Sequence, residues 1–450
     1  MFIRFNVANF LSFNEMQEFS LIAGKVRNNA KRVENLNSFK LLKFGAVYGA
    51  NASGKSNLIS AIDFMKKTIT NGFPSNHMSK YYKGNFENKS KASYFELELK
   101  IKDKFYSYGF ETILSESRFT SEWLIELSSN GNEKIIFTRD LLKETFEIGK
   151  CFKNTKLKNR LNLYAEDLRS DNTKLFLNFM NQFKENFYAE NSELNIVRDI
   201  HKWILLKLDI NYPDRPISNY SYFMLEEKMD EISNFIRAFG TGIKGFEVVE
   251  VDLESTINEL PKSLKEDLLK NLQGNDGKNA SVLLRSNRND FIMIEANSDG
   301  EITSKTIKFD HGNKNVLFDL SEESDGTVRL LDLLEILLDK TRDKIYFIDE
   351  IDRCLHPQLT YKFINEFLKL AESRNIQLVV TTHESRLLDF DLLRRDEIWF
   401  VDKNNNGESK VYSLDEFNAR FDQKVDKAYL EGRYGGVPIF NSLFPLGECK

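Results

Sequence analysis

The run Gly49-Ala50-Asn51-Ala52-Ser53-Gly54-Lys55-Ser56 restricts what this chain can fold into more than any other stretch of its length. Glycines at both ends of such a run let successive backbone N–H groups curl around a phosphate without steric cost from Cβ. The flanks suit that purpose: Phe44-Gly45-Ala46-Val47-Tyr48 reads as a buried strand, and Ile59, Ile62, Met65 and Ile69 follow at helical spacing. A phosphate held there meets a helix N-terminus, where the macrodipole favours anions. The pattern assigns Lys55 to the β- and γ-phosphates of ATP and the Ser56 hydroxyl to the Mg²⁺ that bridges them. Gly49, Asn51, Ala52, Ser53, Gly54 and Asn57 complete the cradle. A glycine-rich turn matches such a pattern by chance now and then; chance rarely adds the strand before it and the helix after it.

Three later segments acquire meaning from this loop. The apolar run Ile345 to Ile348 ends in Asp349-Glu350. A strand that delivers carboxylates beside a phosphate loop places Asp349 to bind Mg²⁺ through a water and Glu350 to polarise the attacking water. In isolation the pair would be two solvated acids. Ile376 to Thr382 is a further β-rich run with His383 at its end. A neutral imidazole there can hydrogen-bond the γ-phosphate, although a lone histidine at a strand end is often an ordinary surface or core residue. Ser324, Gly326 and Thr327 precede an apolar helix carrying Leu330, Leu334 and Leu337, and read either as a polar helix cap or as a helix N-terminus open to an anion. The Gly49–Ser56 cradle is complete in itself, so on the second reading the anion belongs to another copy of the chain. Cys354 and His356 lie in a turn closed by Pro357, lack a second metal ligand at usable spacing, and read as structural.

In this order the segments resemble the ATP-binding-cassette ATPases, in the soluble branch that includes SMC-type and RecF-type DNA-repair proteins and the OLD proteins. The opening Phe2 to Phe13 looks like that branch's first strands. More closely, the chain resembles the ATPase subunits of bacterial phage-defence systems of the RloA and AbiL type, with the PARIS ATPase a relative. This rests on Tyr48 to Ser56, Glu323 to Thr327, Asp349 to Asp352, Thr382 to Ser385 and Tyr429-Leu430-Glu431-Gly432-Arg433-Tyr434-Gly435-Gly436-Val437-Pro438, and is weak in the middle of the chain. The resemblance implies an α/β P-loop cassette head of two lobes with a mixed sheet. It implies that Ser324, Gly326 and Thr327 form a variant signature contacting the γ-phosphate of the opposite subunit, that Glu350 is catalytic, and that His383 is the switch histidine. It further implies an ATPase that dimerises around ATP and Mg²⁺ and controls a separately encoded effector, with a nuclease as one candidate, in anti-phage defence. Two departures stand out. The signature lacks a Leu-Ser-Gly-Gly run, and no glutamine marks the loop after the first lobe, where Ser93 to Glu96 takes the expected place. For the stretch Gly432 to Pro438 the residues suggest only that its glycines permit close backbone approach.

A chain of 450 residues with 41% hydrophobic content can bury a large core in two structural units. No stretch approaches the apolar length that spans a bilayer, and the N-terminus alternates like a strand, so a cytoplasmic protein without membrane contact is expected. Cys151, Cys354 and Cys449 are too scattered for a disulfide framework. With a net charge of −5, nucleic-acid contact would need a local patch. Lys150, Lys153, Lys156, Lys158 and Arg160 form the first candidate, Lys80, Lys83, Lys89 and Lys91 the second; such runs are commonly solvated faces.

Tyr94 to Ile101 and Phe105 to Phe110 alternate as a hairpin. From Leu161 to Phe239 the period turns helical, with stripes at Phe176, Phe179, Met180, Phe183 and Phe187 and at Met229, Ile232, Phe235, Ile236 and Phe239 before a stop at Gly240. Strands resume at Ile243 to Val251 and Phe291 to Ile294. The expected organisation is therefore a first cassette lobe at 1–148, a helical subdomain inserted between the lobes at 149–240, and a second lobe at 241–450. The insertion is too short and irregular for a long coiled-coil arm. Leu387 to Leu393, with Asp389 and Asp391, reads as the start of a helix, and too little chain follows to build a nuclease fold. Two alternatives remain beside the effector-controlling ATPase: a DNA-end-sensing repair ATPase, and a regulatory scaffold that holds ATP with little turnover.

Overall fold

Phe44–Tyr48 carries no charged side chain and is buried along its whole length, as befits a strand covered on both faces. The computed structural model describes residues 1–36, 38–128, 133–182, 184, 187–188, 192–215, 221–224, 228–252, 280–285, 291–296, 302–313, 315–417 and 425–437. Within it, Phe44–Tyr48 lies inside a six-stranded sheet ordered Leu208–Asn211, Lys344–Ile348, Ile376–Thr381, Phe44–Tyr48, Ile398–Lys403 and Ser409–Ser413. Lys344–Ile348, Ile376–Thr381, Phe44–Tyr48 and Ile398–Lys403 run parallel, and Ser409–Ser413 closes an antiparallel hairpin. Their register sets Ile348 beside Val380 and Thr381 beside Val47. The chain therefore leaves this sheet at Gly49, Asp349 and Thr382 along one edge.

A second, antiparallel sheet is ordered Thr145–Ile148, Glu133–Asp140, Arg118–Leu127, Lys104–Ile113, Ser93–Ile101, Phe2–Ala8 and Gln17–Ser20. The hairpin expected from alternation sits at its centre, pairing Tyr94 with Glu111 through Ile101 with Lys104. Gln377 fastens this sheet to the parallel one. It is the polar residue of an otherwise apolar strand interior, fully buried, and its amide donates to the carbonyls of Phe2 (2.9 Å) and Leu42 (3.1 Å) while accepting the Phe2 N–H at 2.8 Å. Glu122, equally buried, accepts the N–H groups of Phe176 (2.6 Å) and Leu177 (3.0 Å) and the Tyr108 hydroxyl (3.0 Å), which ties the helix Phe176–Met180 to the sheet.

The chain divides into two compact units, 1–210 with 341–351 and 368–450, and 211–340 with 352–367. The second contains a sheet ordered Gly245–Val251, Ile302–Asp310, Phe291–Ala296 and Ala280–Arg285, with Leu317–Asp319 paired to Ile302–Asp310. It also holds the helix Asp325–Leu338, which is buried over most of its surface. The stretch read as helical does contain Thr155–Asp167, Phe176–Met180, Asn195–Leu206 and Met229–Ala238. Between the last two, however, Leu208–Asn211 joins the parallel sheet beside Lys344–Ile348, with the Ile345 N–H donating to the Lys207 carbonyl at 2.8 Å. Phe183, Pro438 and Cys449 lie outside the described residues. No helix among the described residues is long and apolar enough to cross a membrane.

The helix expected at Leu387 to Leu393 does not form. A single 3-10 turn, Ser385–Leu387, is followed by a tight turn in which the Leu392 and Leu393 N–H groups both donate to the Asp389 carbonyl. The Asp389 side chain competes for the backbone by accepting the Asp391 N–H at 2.9 Å, a local bond that favours turns over helix.

Glu397 makes stability depend on pH. It is wholly buried, one carboxyl oxygen accepts the Arg394 N–H at 2.8 Å, and the other has no partner among the described residues. Burial pushes this carboxyl up to about 8. The unfolded chain thus ionises it first, so its contribution to stability is greatest below about pH 4.5 and declines as pH rises toward 8. We predict that the melting temperature falls between pH 5 and pH 8 and that Glu397→Gln flattens this fall; equal slopes in the two proteins would contradict the assignment.

Candidate nucleotide site

Two glycines shape the loop that follows Phe44–Tyr48. A Cβ on Gly49 would stand 2.4 Å from the Val401 carbonyl oxygen and 2.5 Å from Ser53 Oγ. Gly54 has φ 116°, and its Cβ would meet Ser409 Oγ at 2.5 Å. Neither position accepts a side chain. From Gly54 the helix Lys55–Asn71 begins, its Asn57 and Leu58 N–H groups donating to the Gly54 carbonyl. Lys55 is 5% exposed, and its ammonium donates to the carbonyls of Gly49 (2.9 Å) and Ala50 (3.1 Å). Asn51, Ala52 and Ser56 are exposed at the mouth of the loop, and Asn57 is half-buried behind them. The buried Ser53 hydroxyl has no hydrogen-bond partner among the described residues.

The cradle is braced by residues that are remote in sequence. The Ser409 hydroxyl donates to the Ser53 carbonyl at 2.5 Å and lies 2.8 Å from Ser12 Oγ, which in turn accepts from Asn57 Nδ2 at 2.7 Å. No motif announces Ser12 or Ser409; both are single hydroxyls at the end of a strand or turn.

Asp349 and Glu350 leave the neighbouring strand at the same edge. Asp349 is buried, and one of its oxygens accepts the Thr381 hydroxyl at 2.6 Å. That hydroxyl also accepts the Glu350 N–H at 2.8 Å, while the Ile351 N–H donates to the Thr381 carbonyl. Glu350 adopts φ 49°, in the left-handed region, and is half-exposed. One buried threonine thus orients both acids, a role that its place in an ordinary β-rich run did not signal. His383 is exposed two residues further on, after the Thr382 N–H donates to the Val47 carbonyl at 3.1 Å and the Thr382 hydroxyl accepts the Glu384 N–H at 3.0 Å.

Lys55, Ser56, Asp349, Glu350 and His383 therefore belong to one compact unit, at the edge where three parallel strands end. Ser324, Gly326 and Thr327 belong to the other. There Ser324 caps the helix Asp325–Leu338, its Oγ accepting the Thr327 N–H at 3.1 Å and lying 2.8 Å from Thr327 Oγ1. Ser324 is exposed and Thr327 buried; a Cβ on Gly326 would stand 2.7 Å from the Cys354 carbonyl oxygen. The polar cap read locally is present, with the first residue of the cap still facing solvent. Ser93 to Glu96 forms part of the strand Ser93–Ile101, with Ser93 Oγ donating to the Asn9 carbonyl and Glu96 accepting from Asn6 and Ser107. Its backbone is held in the sheet and makes no loop. Among the lysines proposed for nucleic acid, Lys150, Lys153 and Lys156 are exposed together with Arg160, whose guanidinium lies 4.5 Å from the Phe187 ring centre. Lys91 pairs with Glu87 at 3.1 Å.

A parallel sheet with a glycine-bounded loop at one strand end and paired acids at another is the arrangement of a P-loop nucleotide-binding domain. The family model described as "AAA domain, putative AbiEii toxin, Type IV TA system" matches residues 44–389, the greater part of the chain, and the protein belongs to that family. Among solved structures, it is similar to the SmcHead bound to the C-winged helix domain of ScpA, at 15% identity over 92% of this chain and 98% of that one, with a TM-score of 0.44. It is also similar to the SMC head domain from Thermotoga maritima, at 12% identity over 92% and 98% with a TM-score of 0.35. The Smc head domain with an extended coiled coil, bound to the C-terminal domain of ScpA derived from Pyrococcus furiosus, matches at 16% identity over 96% and 99%, TM-score 0.39. No curated protein matches the chain.

Thr381→Val keeps the shape of the side chain but strips the hydroxyl from both Asp349 and the Glu350 N–H. The expected loss of stability is about 1–3 kcal/mol, with Thr381→Ser close to wild type, as read from urea unfolding midpoints.

Proposed function

We propose that the protein binds Mg-ATP on the Gly49–Ser56 loop and hydrolyses it to ADP and phosphate, as a dimer closed around two nucleotides. The observation that carries this reading is the meeting of the loop, Asp349, Glu350 and the Thr381–His383 segment at one edge of a parallel sheet. The residues suit a triphosphate. Lys55 rests on two carbonyls of its own loop, bonds that an anionic phosphate would replace with stronger charge-assisted ones, and the buried Ser53 hydroxyl has no partner among the described residues. Gly49, Asn51, Ala52, Ser53, Gly54 and Asn57 form the cradle. Ser56 and Asp349 would hold Mg²⁺, which supplies positive charge against the phosphoryl oxygens. Glu350 orients the attacking water and takes up its proton; His383 donates toward the γ-phosphate. Ser324, Gly326 and Thr327 of the opposite subunit close the pocket with a helix N-terminus.

ATP across the interface favours the closed dimer, and hydrolysis removes the contacts that distinguish closed from open. On this reading the switch holds or releases a separately encoded effector, a nuclease among the candidates, in an anti-phage system of the RloA and AbiL kind. The matched family's description as a toxin of a type IV TA system is in keeping with work alongside a second protein. The exposed row Lys150, Lys153 and Lys156 favours a second reading, a DNA-end-sensing ATPase. Duplex-stimulated turnover that falls steeply with salt would select it.

Glu350→Gln should retain ATP binding while lowering turnover on the order of a hundredfold or more, and Lys55→Ala should lose binding itself. Unchanged hydrolysis in the first variant, or tight binding in the second, would remove those residues from their roles. Sedimentation of Glu350→Gln in saturating Mg-ATP should give a dimer. A monomer, with full turnover in the wild type, would overturn the shared pocket.

A further inference from the structure

The motif Tyr429 to Val437 has no part in the function proposed above, yet it is built onto the phosphate loop. Its helix, Val425–Leu430, buries Val425, Ala428 and Tyr429 and packs against the Ser385–Leu387 turn that follows His383. The Tyr429 ring stacks on Phe400 with centres 5.6 Å apart and stands edge-on to Tyr48, the last residue of the strand that feeds the loop, at 5.8 Å. Its hydroxyl donates to the Gly436 carbonyl at 3.0 Å. Burial pushes this phenol up to about 12, so it keeps its proton and remains a donor at neutral pH.

From Tyr429 the chain doubles back around that phenol. Gly435 and Gly436 have φ of 71° and 68°, and a Cβ on Gly436 would lie 3.3 Å from Gly49 Cα. Tyr434 stacks on the other side of the cluster, 5.8 Å from the Phe400 ring centre, and its carbonyl accepts the Tyr412 hydroxyl at 2.7 Å. The chain thus passes against the first residue of the cradle with no side chain between them.

We infer that Tyr429–Gly436 is a strap that fixes the entry of the phosphate loop, with Tyr429 as a positioning residue for the triphosphate. The phenol holds the Gly436 carbonyl, and with it the backbone that lies against Gly49. The carbonyl of Gly49 is one of the two that Lys55 must release in order to reach a phosphate. The same helix braces the turn after His383, so a single element sets two walls of the site. Loss of the phenol oxygen leaves the ring, its stacking and its burial in place but frees the loop entry. Affinity for nucleotide then falls while the fold persists.

The inference rests on the ATP reading, and its test separates the two. Equilibrium binding of a fluorescent ATP analogue, steady-state turnover and melting temperature are measured on the full chain as wild type, Tyr429→Phe and Gly436→Ala. Tyr429→Phe is expected to raise Kd and KM about fivefold to tenfold, with kcat at saturating ATP within about twofold and the melting temperature within about 2 °C of wild type. Gly436→Ala, which forces a methyl group against Gly49, is expected to weaken binding in the same direction. An unchanged Kd in Tyr429→Phe, or a loss of affinity that appears only with a matching loss of melting temperature, overturns the inference. Failure of the wild type to bind the analogue would instead remove the nucleotide reading, and the strap's role with it.

Discussion

Backbone pairing of Phe44–Tyr48 on both of its edges is the constraint from which the site follows. With Ile376–Thr381 on one side and Ile398–Lys403 on the other, parallel ladders on both edges hold the strand in a single register. Register then does the chemistry's positioning. Val47 beside Thr381, and Val380 beside Ile348, align the ends of three strands, and the loops that leave them meet without further adjustment. Thr381 converts that alignment into orientation by bonding Asp349 with its hydroxyl proton and the Glu350 N–H with its lone pair. A buried hydroxyl shared between two neighbours leaves neither unsatisfied.

The same economy holds the rest of the first unit together. Several polar side chains in its interior sit where two elements must be joined. Gln377 links the parallel sheet to the N-terminal strand with three bonds from one amide. Glu122 caps a short helix from inside a sheet, and Arg139, buried beside it at 3.9 Å, satisfies the carbonyls of Leu168, Asp171 and Lys174. Such groups cost free energy to bury unless bonded, so they specify which elements pair as well as how strongly. One Glu397 oxygen has no partner among the described residues, and burial accordingly favours the neutral form of this carboxyl.

Local patterns were legible where the chemistry is local. The phosphate loop, the hairpin from Tyr94 to Phe110, the acidic strand end and the helix after Ser324 all depend on residues within a few positions of one another, and each stands where its pattern placed it. The strand Leu208–Asn211 escaped notice because four residues carry too little alternation to compete with helical periods on either side. Leu387 to Leu393 misled for the opposite reason: its apolar spacing suits a helix, but the Asp389 carboxylate claims a backbone N–H that a helix would need. Ser409 and Ser12 carry no local signal as site residues because they meet each other, and Ser409 meets Ser53, only across hundreds of positions, and Tyr429 carries none because its partner Gly436 reaches Gly49 only in the folded chain.

By itself, the order of residues determined the local shapes from which the candidate site is built. A glycine-bounded loop before a helix, and two acids after an apolar strand, are set by adjacent residues, since backbone conformation and charge are local properties. Only the tertiary structure decided which threonine aims the acids, which serine braces the loop and that Gly436 lies against Gly49. Those contacts join segments with no local preference for one another. They arise from strand register and from burial that leaves no room for a side chain, and neither exists before the sheets assemble.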